Sequence, residues 1–182
     1  CSLVTDGAAA LVVMRTDEAR KRGRPAVEIA GIGHTTERMP IKVRPNMYEL
    51  MAGKEAAARA FAEAGIRSQD IDVAEVHDCF TINQILCTEA LGLSADGKAG
   101  DDYLAGRFGR DDKVCVNLSG GLKAKGHPVG ATGASMHALL YKQLTGHPIG
   151  AAPSQGTPRV GAVLNVGGSS VTNCVTVLRS IG

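Results

Sequence analysis

The chain has 182 residues and a mass of 18.8 kDa, enough to bury a real core and to form one main domain of ordinary size. Its 20 basic and 18 acidic residues leave a formal charge of +2, with one local basic cluster at residues 15–24, so no nucleic-acid groove is expected. The apolar runs are too short to cross a bilayer, and no signal segment precedes a cleavage site. The expectation is therefore a soluble, cytoplasmic protein with no membrane span.

Glycine is in excess, at 23 residues, while aromatics make up only 3%. Much of the specificity must then sit in tight backbone turns. In chain order, residues 6–14 end in an apolar run that reads as a buried strand. Residues 16–22 form a short charged helix stopped by Gly23, and residues 26–34 alternate as a second strand. Beginning on Cys1, without methionine or an opening element, the chain has the look of a piece of a longer protein or of a processed one. Ala56, Ala60, Phe61 and Ala64 stand at helical spacing in a helix over 51–64 that Gly65 stops, and Ser68 is the cap of a short turn through Asp70. Residues 73–76 form a strand. Residues 80–91 form a helix with Ile82, Ile85, Leu86 and Leu91 on one side. A helix over 101–107, a strand over 113–117, a glycine loop and a helix over 131–144 follow. Two final strands, 160–166 and 171–178, are joined by Gly167-Gly168-Ser169-Ser170 as an antiparallel hairpin. This alternation predicts an α/β domain with a five-stranded mixed sheet and helices on both faces.

Layered folds of this kind gather functional groups at the carboxyl ends of strands. His77, Cys79 and His127 fall at such positions, on turns read as leading from strand to helix. A thiol has an ordinary pKa of about 8.5, which imidazolium neighbours or a helix N-terminus lower. Cys79, where a helix begins, is thus suited to exchange a proton with a carbon acid or a leaving thiol. His127, in a turn shaped by Gly126, Pro128 and Gly130, is placed to give an N–H to a thioester oxygen. Blunter readings stand beside these. A lone cysteine is more often a small buried hydrophobe, the reading for Cys87 and Cys115, and a lone histidine is more often structural, the reading for His34, His137 and His147. A metal site at His77, Asp78 and His127 has poor short-range spacing, and no metal is expected. The cysteines are odd in number and irregularly spaced, with no C-x-x-C pair, so free thiols are expected.

Several segments together carry a family resemblance: Val76-His77-Asp78-Cys79-Phe80, Glu89-Ala90-Leu91-Gly92-Leu93, Asn117-Leu118-Ser119-Gly120-Gly121, Gly126-His127-Pro128-Val129-Gly130-Ala131-Thr132-Gly133 and Asn165-Val166-Gly167-Gly168. In this order, over nearly the whole chain, they resemble the C-terminal half of a thiolase of the sterol-carrier-protein type and its acetyl-CoA acetyltransferase relatives. Residues 2–13 are similar to a stretch near the end of the family's first half, so residues 1–35 are expected to be the end of that half or connecting strands, and residues 36–182 the C-terminal domain.

The resemblance implies exchange of acyl groups through coenzyme A thioesters. One cysteine is acylated, and a second thiol moves the proton as a carbon–carbon bond forms or breaks. Most thiolases carry the second thiol in a Cys-x-Gly motif, here matched by Asn165-Val166-Gly167, and hold an oxyanion-hole water with an Asn-Glu-Ala-Phe motif, here matched by His77-Asp78-Cys79-Phe80. The proton-handling role therefore passes to Cys79, and His77 takes the place of the water-holding asparagine. His127 matches the histidine that activates the nucleophile and lines the first oxyanion hole. Phe80 and Gly167 are the implied substrate-binding residues, Gly167 through its N–H. Cys174 lies beyond the Cys-x-Gly position and inherits no role.

No stretch resembles the surroundings of the acylated cysteine, so the chain alone is expected to be an inactive half-enzyme. Acyl-CoA and coenzyme A are the implied substrates, with no permanently bound cofactor. The implied partners are the N-terminal thiolase half, further copies in a homodimer or homotetramer, and a small acyl-CoA-binding protein if the chain is instead a scaffold. A thiolase-like aldolase and an inactive scaffold are the alternative readings.

Overall fold

The computed structural model of the chain describes residues 2–181. Two long apolar segments, β4 (Val160–Gly167) and β5 (Thr172–Ile181), pair antiparallel in unbroken register from Val160 opposite Arg179 to Gly167 opposite Thr172. The hairpin predicted from Gly167-Gly168-Ser169-Ser170 is present, and Gly168, Ser169 and Ser170 all take positive φ. β1 (Ala26–Thr36) covers the other edge of β5, also antiparallel. β2 (Val73–Val76) runs parallel to β4, and β3 (Cys115–Val116) runs parallel to β2. The order β1-β5-β4-β2-β3 is the expected five-stranded mixed sheet.

Because β2 and β4 have parallel neighbours, their residues are buried on both faces, and helices cover each side. On one face α2 (Met51–Ala64) and α3 (Thr81–Ala90) pack over Ala74, Val76, Ala162, Leu164, Val175 and Val177. On the other, α6 (Thr132–Leu144) sets Met136, Leu140 and Leu144 against Val73, Cys115, Val163 and Leu178. Small residues bring α2 unusually close to the sheet: a Cβ on Gly33 of β1 would stand 1.8 Å from the Ala56 carbonyl oxygen, and one on Gly31 2.2 Å from that of Ala60. The alanine spacing read as a helix stripe is thus a backbone-to-backbone contact surface, and Gly65 ends the helix in the left-handed conformation at φ 65.

Several expectations are corrected. The run at residues 8–14 is an exposed segment without regular structure, Val12 being 87% exposed. The segment makes no ladder pairing with the sheet, and an apolar run without a ladder partner is not a strand. Of the residues expected on the apolar side of α3, Leu86 and Leu91 do pack into the core, but Ile82 is exposed and the buried residues within the helix are Cys87, Thr88, Glu89 and Ala90. Ser68 begins the 3-10 turn Ser68–Asp70 rather than capping it, and the Asp70 carboxylate accepts the Arg67 N–H. The following helix, α4 (Ala99–Leu104), starts earlier than predicted, and β3 shrinks to two residues because Asn117 turns to φ 53. The glycine loop contains a further short helix, α5 (Gly121–Lys125). The charged helix near the start is α1 (Thr16–Lys21). Among the described residues Cys79, Cys87, Cys115 and Cys174 are free, with Cys87 and Cys115 buried. Among the described residues no helix is long and apolar enough to cross a membrane.

Replacing Gly33 by Ala is expected to cost roughly 1–3 kcal/mol, at the upper end because the atom met is backbone. Gly23→Ala, with nothing within 4 Å of its added Cβ and only φ +60 to oppose it, should cost about 1 kcal/mol. Urea midpoints measure both. A Gly33 loss no larger than the Gly23 loss would contradict the close seat of α2.

Candidate active site

β2 ends just past the point where β3, its neighbour on one side, has stopped, while β4 continues on the other. The Val76 N–H goes to the Asn117 side-chain oxygen at 2.8 Å, and the His77 N–H to the Leu164 carbonyl at 3.2 Å. The chain then turns into α3, whose Asn83 amide holds the His77 carbonyl. Asp78 points away from solvent, and its Oδ1 accepts the Leu122 N–H at the start of α5 at 2.7 Å. Gly121 makes this approach possible, since it sits at φ +61 and a Cβ there would lie 2.2 Å from Asp78 Oδ2. The β2–α3 loop is thereby tied to the helix that leads into His127.

His127 lies on the turn between α5 and α6, a helix-to-helix turn and not the strand-to-helix turn expected. Its N–H meets Thr5 Oγ1 at 3.3 Å, and Val4 forms a parallel bridge with it. The Ser2 N–H and hydroxyl both reach the Cys79 carbonyl, at 2.9 and 3.2 Å. The opening residues therefore hold both site loops. Thr132, in the first turn of α6, fixes the His127 ring: its hydroxyl donates to the Pro128 carbonyl at 3.0 Å, so Nδ1 of His127 is the donor in their 2.7 Å contact. In the neutral ring this leaves the lone pair on Nε2.

The structure brings His77, Cys79 and His127 together. The two rings meet edge to face, with centroids 4.9 Å apart at 85°, and one nitrogen of each ring and the Cys79 sulfur lie within 4.8 Å of one another. His77 is 5% exposed, while Cys79 and His127 are half-buried. Nδ1 of His77 faces Asn165 Oδ1 at 3.1 Å, which makes Nδ1 the protonated nitrogen there as well. Phe80, 52% exposed before α3, and Gly167, the last residue of β4, add no polar side-chain atom to this cluster. If the cluster held a metal its third donor would be Cys79 and not Asp78, whose carboxylate is engaged with α5.

Burial decides the electrostatics. It pushes the Cys79 thiol up, with the Asp78 charge adding to the rise, against the Phe80 N–H and Lys123. The lowering expected from a helix start is overridden. His77 is pulled from 6.5 down to about 4, first by burial and then by the charge of His127, against Asn165 and Asp78. Behind the cluster Glu75, 1% exposed on β2, accepts from Ser119 Oγ at 2.7 Å and Gln143 Nε2 at 2.9 Å, and burial raises its carboxyl. Lys125, bonded to Ser135 Oγ at 2.8 Å, is lowered by burial. Glu75 was visible as the lone charged residue of a four-residue buried strand, and Asn165 as the residue at the Cys-x-Gly position. Thr132 carried no signal beyond lying in a matched segment.

For His77 the unfolded chain takes a proton as pH falls through 6.5, the folded chain only near 4. Stability should therefore decline across that window and level off below it, by an amount on the order of 3 kcal/mol. Denaturant titrations from pH 7 to 4 measure this. His77→Asn should flatten the slope, and an unchanged slope would contradict the buried neutral ring.

The family described as "Thiolase C-terminal domain-like" matches residues 33–180. The chain is 37% identical over 177 residues to the acetyl-CoA acetyltransferase of Methanothermobacter thermautotrophicus, covering 97% of this chain and 46% of that protein. It is 41% identical over 152 residues to sterol carrier protein 2 of Oryctolagus cuniculus, covering 80% of this chain and 28% of that protein. The chain thus spans about half, or less, of the length of the curated relatives it matches. A solved structure, the Ltp2-ChsH2(DUF35) aldolase, shares the fold with a TM-score of 0.80 over 91% of this chain and 42% of that one, at 21% identity. The chain belongs to the thiolase family and carries that family's C-terminal domain-like part.

Proposed function

We infer that this chain supplies the proton-transfer and oxyanion half of an acyl-CoA thiolase of the acetyl-CoA acetyltransferase type. The observation that carries the reading is the cluster itself: a thiol held protonated by burial, beside two imidazoles whose Nδ1 atoms are already engaged. Coenzyme A and acyl-CoA are the substrates, with no permanently bound cofactor. The nucleophilic cysteine belongs to an N-terminal thiolase half that packs with this chain, and the exposed apolar run at residues 8–14 fits burial against that half or another copy.

In the cleavage direction the partner half's cysteine gives its S–H proton to Nε2 of His127 and attacks the β-keto carbonyl, and the Cα–Cβ bond then breaks with its electron pair passing to the enolate of the departing acetyl-CoA. Cys79 gives that carbon its S–H proton and becomes a thiolate. It then takes the proton of incoming coenzyme A, whose sulfur removes the acyl group. His127, oriented by Thr132, then carries an N–H at Nε2 toward the thioester oxyanion and returns that proton to the freed cysteine, while His77, its Nδ1–H held by Asn165, accepts at Nε2 from a water that donates to the same oxyanion, with the Gly167 N–H as donor to a second oxyanion and Phe80 against the substrate.

The aldolase reading is favoured by one observation, the fold shared with the Ltp2-ChsH2(DUF35) aldolase. It needs no acyl-enzyme. One experiment addresses both readings: the chain is combined with a nucleophile-bearing N-terminal half, and the acyl-enzyme is trapped by mass spectrometry. Cys79→Ala should lower carbon–carbon cleavage by about 10²–10⁴-fold while acylation by acetyl-CoA, which breaks no carbon–carbon bond, persists. Equal loss of both steps would deny Cys79 its separate role, and cleavage with no acyl-enzyme would favour the aldolase.

A further inference from the structure

We propose that His77, Cys79 and His127 also form a metal site that takes one Zn²⁺, and that filling it withdraws all three groups from proton transfer. The donors are already gathered, with one nitrogen of each ring and the sulfur within 4.8 Å of one another. Tetrahedral Zn²⁺, with bonds of about 2.0–2.1 Å to nitrogen and about 2.3 Å to sulfur, sets its donors roughly 3.3–3.8 Å apart. Closing the difference takes side-chain rotation of about 1 Å, within the reach of a cysteine on a half-buried loop.

The surroundings supply the second argument. A metal-bound histidine characteristically gives its other ring N–H to a fixed acceptor, which sets the tautomer and the ring plane. Both rings do so here, His77 Nδ1 to Asn165 Oδ1 at 3.1 Å and His127 Nδ1 to Thr132 Oγ1 at 2.7 Å. Each ring therefore offers the Nε2 lone pair. Asn165 and Thr132 stand on β4 and α6, separate elements of the fold, so neither ring depends on the other for its orientation.

The chemistry balances without a further reagent. Zn²⁺ replaces the Cys79 thiol proton, which leaves to solvent, and the two neutral imidazoles add their lone pairs, giving a site of net charge +1. Two nitrogens and one sulfur select a borderline-soft ion over Mg²⁺ or Ca²⁺. The fourth position stays open to water, chloride or an incoming thiolate. The claim of metal binding is independent of the acyl-exchange reading, and only its inhibitory consequence rests on it.

Co²⁺ serves as an optical probe of the zinc site in the 182-residue chain carrying Cys1→Ser and Cys174→Ala, which leaves Cys79 and the buried Cys87 and Cys115 as the thiols. The expected result is saturation at one equivalent, a near-ultraviolet thiolate-to-metal charge-transfer band, intense tetrahedral visible bands, and their loss on adding one equivalent of Zn²⁺. Cys79→Ser should abolish the charge-transfer band. Thr132→Val and Asn165→Ala, checked for folding by circular dichroism, should retain the band but weaken binding by about 10–100-fold. No saturable binding, weak octahedral spectra only, or a charge-transfer band that survives Cys79→Ser would overturn the proposal.

Discussion

The carboxylate of Asp78 holds the site loops in place. It is 2% exposed, it accepts the first free N–H of α5, and it fits only because Gly121 has no side chain. A buried carboxylate must be hydrogen-bonded to be tolerated, so the β2–α3 loop cannot leave α5 without exposing or orphaning that charge. Cys79 is the next residue, and His127 lies two residues beyond the end of α5. One polar contact therefore sets the separation of groups 48 positions apart in the chain, from Cys79 to His127. Ser2, Val4 and Thr5 reinforce it from outside by bonding to the same two loops.

The site this constraint creates is shaped more by desolvation than by charge. Lys125 and Asp78 both act on His77, in opposite directions, and burial and the neighbouring ring prevail. Burial likewise keeps the proton on Cys79. The result is a thiol and a buried imidazole, Cys79 and His77, that burial holds in their uncharged forms beside His127.

Elements whose cause is local were legible in the sequence. The alanine spacing and Gly65 marked α2 to the residue, and the glycine-serine turn marked the last hairpin. His77, Cys79 and His127 were found through their motifs, and they do meet in space. What escaped has long-range causes. An apolar run such as residues 8–14 does not say whether a ladder partner is free, and α5 depends on Asp78, 43 positions before Gly121. The direction of the Cys79 shift is not legible in the sequence, because position at a helix start is readable in one dimension whereas burial of the thiol is not. The orienting roles of Asn165 and Thr132 likewise appear only once β4 and α6 are placed.

The account turns on whether Cys79 is the group that moves protons to and from carbon. Acetyl-CoA incubated in D₂O with this chain and a nucleophile-bearing N-terminal half reports on that step directly, through deuterium entering its methyl group as followed by mass spectrometry. The account predicts exchange that disappears with Cys79→Ser while the acyl-enzyme still forms. Exchange that continues at an unchanged rate without the Cys79 thiol would contradict it.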